Sequence, residues 1–137
     1  MHLKKYLQFP FEGSCLLQIK NNKSVEGLKC ELAASVIEIF QSLSFRDNKK
    51  FTIPLVLKFD NPNVQSFVLS NYNFPVEHIC VDEKGIVDKV FVQNVSKSKA
   101  QFIQGYSSFS TIVLAPIGFI KKYKIEEKNT IINYDTN

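Results

Sequence analysis

The sequence predicts an α+β domain that is mainly antiparallel β, a small barrel or sandwich with one short helix near residues 36–43. Three observations lead there. β-Branched and aromatic residues dominate the apolar set, with twelve Phe, five Tyr and no Trp, and such side chains suit a pleated surface. Short apolar runs recur between polar or Pro- and Gly-bearing breaks, the pattern of successive antiparallel strands. Only one stretch, "SVIEIFQSL" (residues 35–43), changes to a spacing of three and four, the period of one helical face.

The elements follow in chain order. "CLLQIKNNKSVEGLKCELA" (15–33) reads as two strands around the polar turn 21–24. In the second strand Leu28, Cys30 and Leu32 alternate with Lys29 and Glu31, as in a half-buried strand. In the helical stretch Val36, Ile39, Phe40 and Leu43 share a face, and Ser35 with Glu38 forms a capping-box pair, each side chain able to accept from the other's amide. "RDNKK" (46–50) ends it. "FTIPLVLKF" (51–59) carries a proline near its start, which predicts either an edge strand or the beginning of one. "VQSFVLS" (64–70) is the next strand. "VEHICVD" (76–82) and "IVDKVFVQN" (86–94) flank the acidic turn 82–85. Gly85 closes that turn at the position where positive φ is needed, so a hairpin is expected. Residues 95–108 read as the longest loop, "STIVLAPI" (110–117) as a strand, Gly118 as a bend and "NTIINY" (129–134) as a last strand.

The 137 residues fit one domain (1–137), long enough to build a core without staples. At 45% hydrophobic and 22% charged the composition is that of a globular chain. The net charge of +4 comes from scattered lysines. The densest basic run, "FIKKYK" (119–124), reads as a solvated strand edge, so no nucleic-acid partner is expected. The three cysteines Cys15, Cys30 and Cys80 lack metal-ligand spacing and read as buried thiols of a reducing compartment. The N-terminal stretch is broken by Gln8, Pro10, Glu12 and Gly13. It resembles neither a signal peptide nor a membrane span, so a cytoplasmic protein without a membrane partner is expected.

The stretch "LKFDNPNVQSFVLSNYNFPVEHICVDEKGIV" (57–87) resembles the central signature of the family called domain of unknown function 192. That signature runs F-x-F, a short turn, S-F-W-M-K-N-T, two residues, P-L-D, then I-x-F-I-D-x-x-G-x-V. Ser66, Phe67, Asn71, Pro75, Asp82, Gly85 and Val87 match by identity, and Val76, Glu77 and Val81 by type. Upstream, Glu31, Leu32, Ala33, Ser35, Glu38, Leu43 and Arg46 fall on the family pattern; downstream Val113, Leu114 and Gly118 do. The similarity covers about residues 28–132. The chain departs from the family at Val68, Leu69 and Ser70, at Ser42 and Ser44, at Ala115, and at Glu127, Lys128 and Asn129. The resemblance implies a compact β-rich fold and a diverged surface; it supplies no activity.

Three polar residues stand at family positions: Arg46, Asn71 and Glu77. As a site they form a small polar pocket, with Arg as anion anchor, Glu as base or second anchor and Asn as donor. As structure, Asn71 satisfies a bend and Arg46 pairs with Glu77 or Glu31. His78 has no ligand or base partner at suitable spacing and reads as a half-buried strand residue; Cys80 shares its face and reads as core. Asp82 and Glu83 offer too few oxygens for a calcium site. No nucleotide, metal or nucleophile motif occurs, so neither a metal nor a cofactor is expected. Two functions stay open. One is a non-catalytic interaction or accessory module that presents a strand edge or loop to a protein partner. The other is a small-molecule or glycan binding domain that uses Arg46, Asn71 and Glu77.

Overall fold

The computed structural model of the protein describes residues 14–22, 24–33, 49, 51–59, 64–69, 74–93 and 101–136. The strands are β1 (Ser14–Asn21), β2 (Ser24–Ala33), β3 (Leu55–Lys58), β4 (Val64–Leu69), β5 (Val76–Val81), β6 (Val87–Gln93), β7 (Gln101–Phe109), β8 (Thr111–Ala115) and β9 (Ile131–Thr136), with one helical turn, α1 (Phe119–Lys122), before β9. Seven strands form one sheet in the order β6-β5-β8-β3-β2-β1-β9, and β4 pairs with β7 in a second. All pairings are antiparallel except β2 with β3. The fold is thus mostly antiparallel β with a short helix. The sheet curls until its outer strands touch at one corner, where Ile86 bridges Ile131, and it does not close into a barrel.

Both faces of the central strands are buried, so alternate residues of one strand serve different cores. One core holds Leu55, Leu57, Val76, Cys80, Ile112 and Leu114 under Phe51, Phe74 and Phe109. The other holds Leu17, Ile19, Val56, Ile79, Val113 and Ile132 with Phe119 and Ile125. Every side chain of β5 is buried, Glu77 and His78 included. The half-buried state expected for His78 is therefore corrected. Pairing with β6 on one side and β8 on the other makes β5 an interior strand.

The hairpin of β5 and β6 forms as expected. The Gly85 amide donates to the Asp82 carbonyl, and the Asp82 carboxylate accepts from the amides of Lys84 and Ile86. Gly85 has φ +88°, and a Cβ there would lie 2.6 Å from Asn133 Oδ1 and 3.1 Å from the Ile132 carbonyl. Pro54 stands just before β3, not on a sheet edge, since β3 lies between β2 and β8.

Three further expectations are corrected. Residues 101–109 are a strand rather than part of a long loop; β4 supplies their ladder, and that long-range pairing outweighs the Gln, Gly and Ser content that reads as loop. Residues 119–122 are a helical turn rather than a strand edge, for a reason that lies in Glu77 and is given below. Cys15 and Cys30 form a disulfide, and only Cys80 is a free thiol among the three. Their Cα atoms are 5.2 Å apart as direct cross-strand partners in the β1–β2 register, within the range a disulfide spans. The helix expected near residues 36–43 lies outside the described residues.

Candidate functional site

Glu77 is the one candidate site residue of the three that is described; Arg46 and Asn71 lie outside the described residues. Strand alternation turns Glu77 to the face that carries Phe119. There its carboxylate accepts from the Gly118 amide at 3.0 Å and the Ile120 amide at 2.7 Å. Each oxygen holds one N–H of the turn that begins α1. This is the role a cap usually fills from the adjoining residue, supplied here from a strand 41 positions upstream. Gly118 makes the geometry possible with φ +98°, where an L side chain would be strained. The bonds described for Glu77 are to backbone amides; its expected pairing with Arg46 lies outside the described residues.

The segment so fixed forms one wall of a cleft of about 390 Å³. Leu28 and Lys29 of β2, residues 52–54 and residues 116–119 with Lys122 and Tyr123 line it. The lining is mainly apolar. Ile117 is 55% exposed, Phe119 packs against Tyr123 with ring centroids 4.6 Å apart, and Lys122 lies over the Tyr123 ring at 5.4 Å. Among the described residues the charged ones that line it are Lys29 and Lys122.

The cleft opens where β2 outruns its neighbour. β1 pairs with β2 from Ser24 through Glu31, whereas β3 pairs only with Glu31, Leu32 and Ala33. The Glu31 amide donates outward to the Pro54 carbonyl at 2.9 Å. The β1–β2 register runs without a shift, so the amides of Lys29, Gly27 and Val25 point to the same flank as that of Glu31. Among the described residues no backbone group bonds to them there. Residues 24–27 and 29 are exposed, and beside Gly27 the nearest atom to a notional Cβ is Leu16 Cδ1 at 3.9 Å. Among the described residues, this is an interior strand with half of one edge without a neighbour.

The opposite end of the sheet is finished differently. Lys128 donates its amide to the Val87 carbonyl, and Val87 its own to the Thr130 carbonyl. Glu127 accepts from the Val90 amide at 2.8 Å. Asp88, buried, accepts from the amides of Tyr106 and Ser107, the Ser107 hydroxyl and the Lys128 ammonium, at 2.8–3.0 Å. Burial pushes this carboxyl up, but the bonds from Ser107 and Lys128 outweigh it and hold it below the usual carboxylate range. At Val87 and Val90 the outer flank of β6 is thus met by the backbone of Lys128 and Thr130 and by the Glu127 carboxylate.

His78 and Cys80 are sealed from chemistry. The His78 ring stacks on Phe91 at 4.9 Å, and its Nδ1 lies 3.1 Å from the Val76 carbonyl, which can only accept, so Nδ1 carries the proton. Burial, opposed by that bond, pushes the imidazole down to about 4. Burial first, and then the nearby Asp88 charge, push the Cys80 thiol up to about 12, far from a reactive thiolate. Among the described residues no cluster of His, Cys, Asp or Glu could hold a metal ion, and no helix is long and apolar enough to cross a membrane.

Sequence reasoning missed Gly27, Lys29, Ile117 and Lys122. The sequence carried no signal for the first two: the run 51–59 reads as long as the strand before it, and only the structure shows β2 with ten residues beside a β3 of four.

No family model and no curated protein matches the chain. Solved structures do share its fold. A "putative transcription regulator" from Sinorhizobium meliloti 1021 superposes with a TM-score of 0.76 at 12% identity, over 93% of this chain and 98% of that one. A protein of unknown function from Novosphingobium aromaticivorans DSM 12444 superposes with a TM-score of 0.74 at 14% identity, over 97% of each chain. At such identities the likeness is one of fold.

Proposed function

We propose that the protein is a non-catalytic interaction module that presents the outer edge of β2 to a protein partner. The observation that carries this reading is the mismatch between β2 and β3, which leaves the amides of Val25, Gly27 and Lys29 facing outward beside an apolar cleft. Bare strand edges are usually shortened, twisted or covered, and the β6 flank of this same sheet is covered. Addition of a partner's strand is the common use of an edge left open. The alternative, a small-molecule or glycan site around Arg46, Asn71 and Glu77, has less support, because both Glu77 oxygens are engaged by backbone amides. We also propose that the chain is a diverged member of the domain of unknown function 192 family; the acidic hairpin turn with positive φ at Gly85 supports this.

The test is a pull-down from native cell extract with two baits, the wild-type chain and Gly27→Pro. Proline removes an amide that points away from β1 and is compatible with an edge. Partners retained by the wild type and lost by a folded Gly27→Pro support the reading. Retention by both baits refutes it.

A further inference from the structure

The bare edge of β2 and the cleft beside it form one groove, and the groove has a chemical preference. Its main-chain side offers the outward N–H and C=O groups of Val25, Gly27 and Lys29, about 13 Å of strand at 3.3 Å per residue. Its side-chain wall is apolar, from Leu28, Ile117, Phe119 and Tyr123. Among the described residues its charges are Lys29 and Lys122, and no acidic one lines it. The carboxylate beneath, Glu77, is buried and turned to the amides of Gly118 and Ile120. Glu26 is exposed on β2 outside the lining, toward the hairpin tip. It disfavours acid at that end only, so the acidic preference concentrates near Lys29 and Lys122.

We propose that this groove binds an extended segment of a partner protein in which Asp or Glu alternates with apolar residues, added as a strand to β2. This rests on the interaction-module reading above and names the partner's chemistry. Alternation follows from strand geometry, since successive side chains of an added strand point to opposite faces. Those on the face of Leu28 meet Phe119 and Tyr123, and those on the other face lie on the side of Lys29. The Cys15–Cys30 disulfide and the β1 ladder hold β2 in place before the partner arrives, so the partner alone is ordered on binding.

The test uses end-blocked hexapeptides titrated into the full chain by isothermal calorimetry: alternating Asp-Val, alternating Lys-Val, and the Asp-Val peptide N-methylated at every second residue in either of the two phases. The Asp-Val peptide should bind about tenfold more tightly than the Lys-Val peptide, the worth of one exposed attraction to Lys29 gained and one like-charge repulsion avoided. Its affinity should fall with added salt. N-methylation in one phase and Gly27→Pro should each abolish binding, and Lys29→Glu with Lys122→Glu should reverse the charge preference. If both unmethylated peptides bind equally and Gly27→Pro abolishes both, the acidic partner is wrong and the strand-edge reading survives. If the Asp-Val peptide binds Gly27→Pro as well as it binds the wild type, the attraction is merely surface charge and the strand-addition proposal is overturned. If no peptide binds, the proposal and the edge reading both fail. A dimer broken by Gly27→Pro would place a second copy on the edge and overturn the partner proposed here.

Discussion

β6 and β2 each have a flank on which the seven-stranded sheet offers incomplete pairing, and the chain treats the two in opposite ways. On β6 the outward groups of Val87 and Val90 are met by Thr130, Lys128 and Glu127, while Asp88 draws in the amides of β7. On β2 the outward amides of Val25, Gly27 and Lys29 meet no backbone group among the described residues. The sealed flank is held by the carboxylates of Asp88 and Glu127, whose bonds are strong but depend on protonation. The open flank is exposed, polar and glycine-bearing, so little stability rests on it. The difference separates the part of the sheet that holds the fold from the part free to bind.

The largest expected effect is at Asp88. Asp88→Ala removes a buried carboxylate and leaves the Tyr106 and Ser107 amides without their acceptor, which should cost about 2–4 kcal/mol in urea unfolding. A loss below 1 kcal/mol, within the range of ordinary surface changes, would mean that the flank is not sealed by this residue. Acid should weaken the fold at two buried groups, His78 on β5 and Asp88 on β6. Burial pushes the folded His78 imidazole down to about 4 from its ordinary 6.5, so the unfolded chain binds the proton first. Stability is then full above pH ~6.5 and declines as pH falls toward ~4, by on the order of 3 kcal/mol. Asp88, held below its usual value of 3.8, adds a second loss as pH falls below that value through its folded pKa. His78→Leu should flatten the first decline and leave the second; an unchanged profile would exclude His78 as its source.

Glu77 belongs to the open side, because it anchors the wall of the cleft. Glu77→Ala should cost about 2–3 kcal/mol by freeing two amides, and Glu77→Gln less, since one acceptor remains. The local reading is protection from hydrogen exchange at the Gly118 and Ile120 amides, which should fall in both variants. Full protection there in Glu77→Ala would show that α1 stands without the carboxylate.

The sequence made some of this legible and hid the rest for physical reasons. The β5–β6 hairpin and Gly85 were readable because turn chemistry is local. The Cys15–Cys30 pair was nearly so: a turn at 21–24 places Cys15 and Cys30 equally far, six residues, from Asn21 and Ser24. Reading the odd cysteine count as a clue to compartment obscured that register. α1 was not readable, because its support is a carboxylate from β5 and not a residue of its own. β7 was hidden likewise, since its partner β4 lies across the intervening hairpin. The polar character of Glu77 was visible, but its engagement with backbone amides depends on which face of β5 meets the chain after β8.

The smallest expected effect contrasts the flanks most directly, through one substitution on each. Val90→Pro removes the amide that donates to Glu127 and leaves that carboxylate without its bond, at a cost of about 1.5–3 kcal/mol, the range for bonds to charged groups. Gly27→Pro removes an amide with no described backbone acceptor on an exposed stretch. It also narrows the unfolded ensemble more than most substitutions do, because it replaces the freest residue by the stiffest. The net change should be within about 1 kcal/mol of zero. Both prolines sit where the N–H points away from the paired neighbour, so both spare the main ladder. Chemical denaturation of the two variants side by side decides the matter. If Gly27→Pro costs as much as Val90→Pro, the β2 edge has an intramolecular acceptor of its own and is not free to receive a partner.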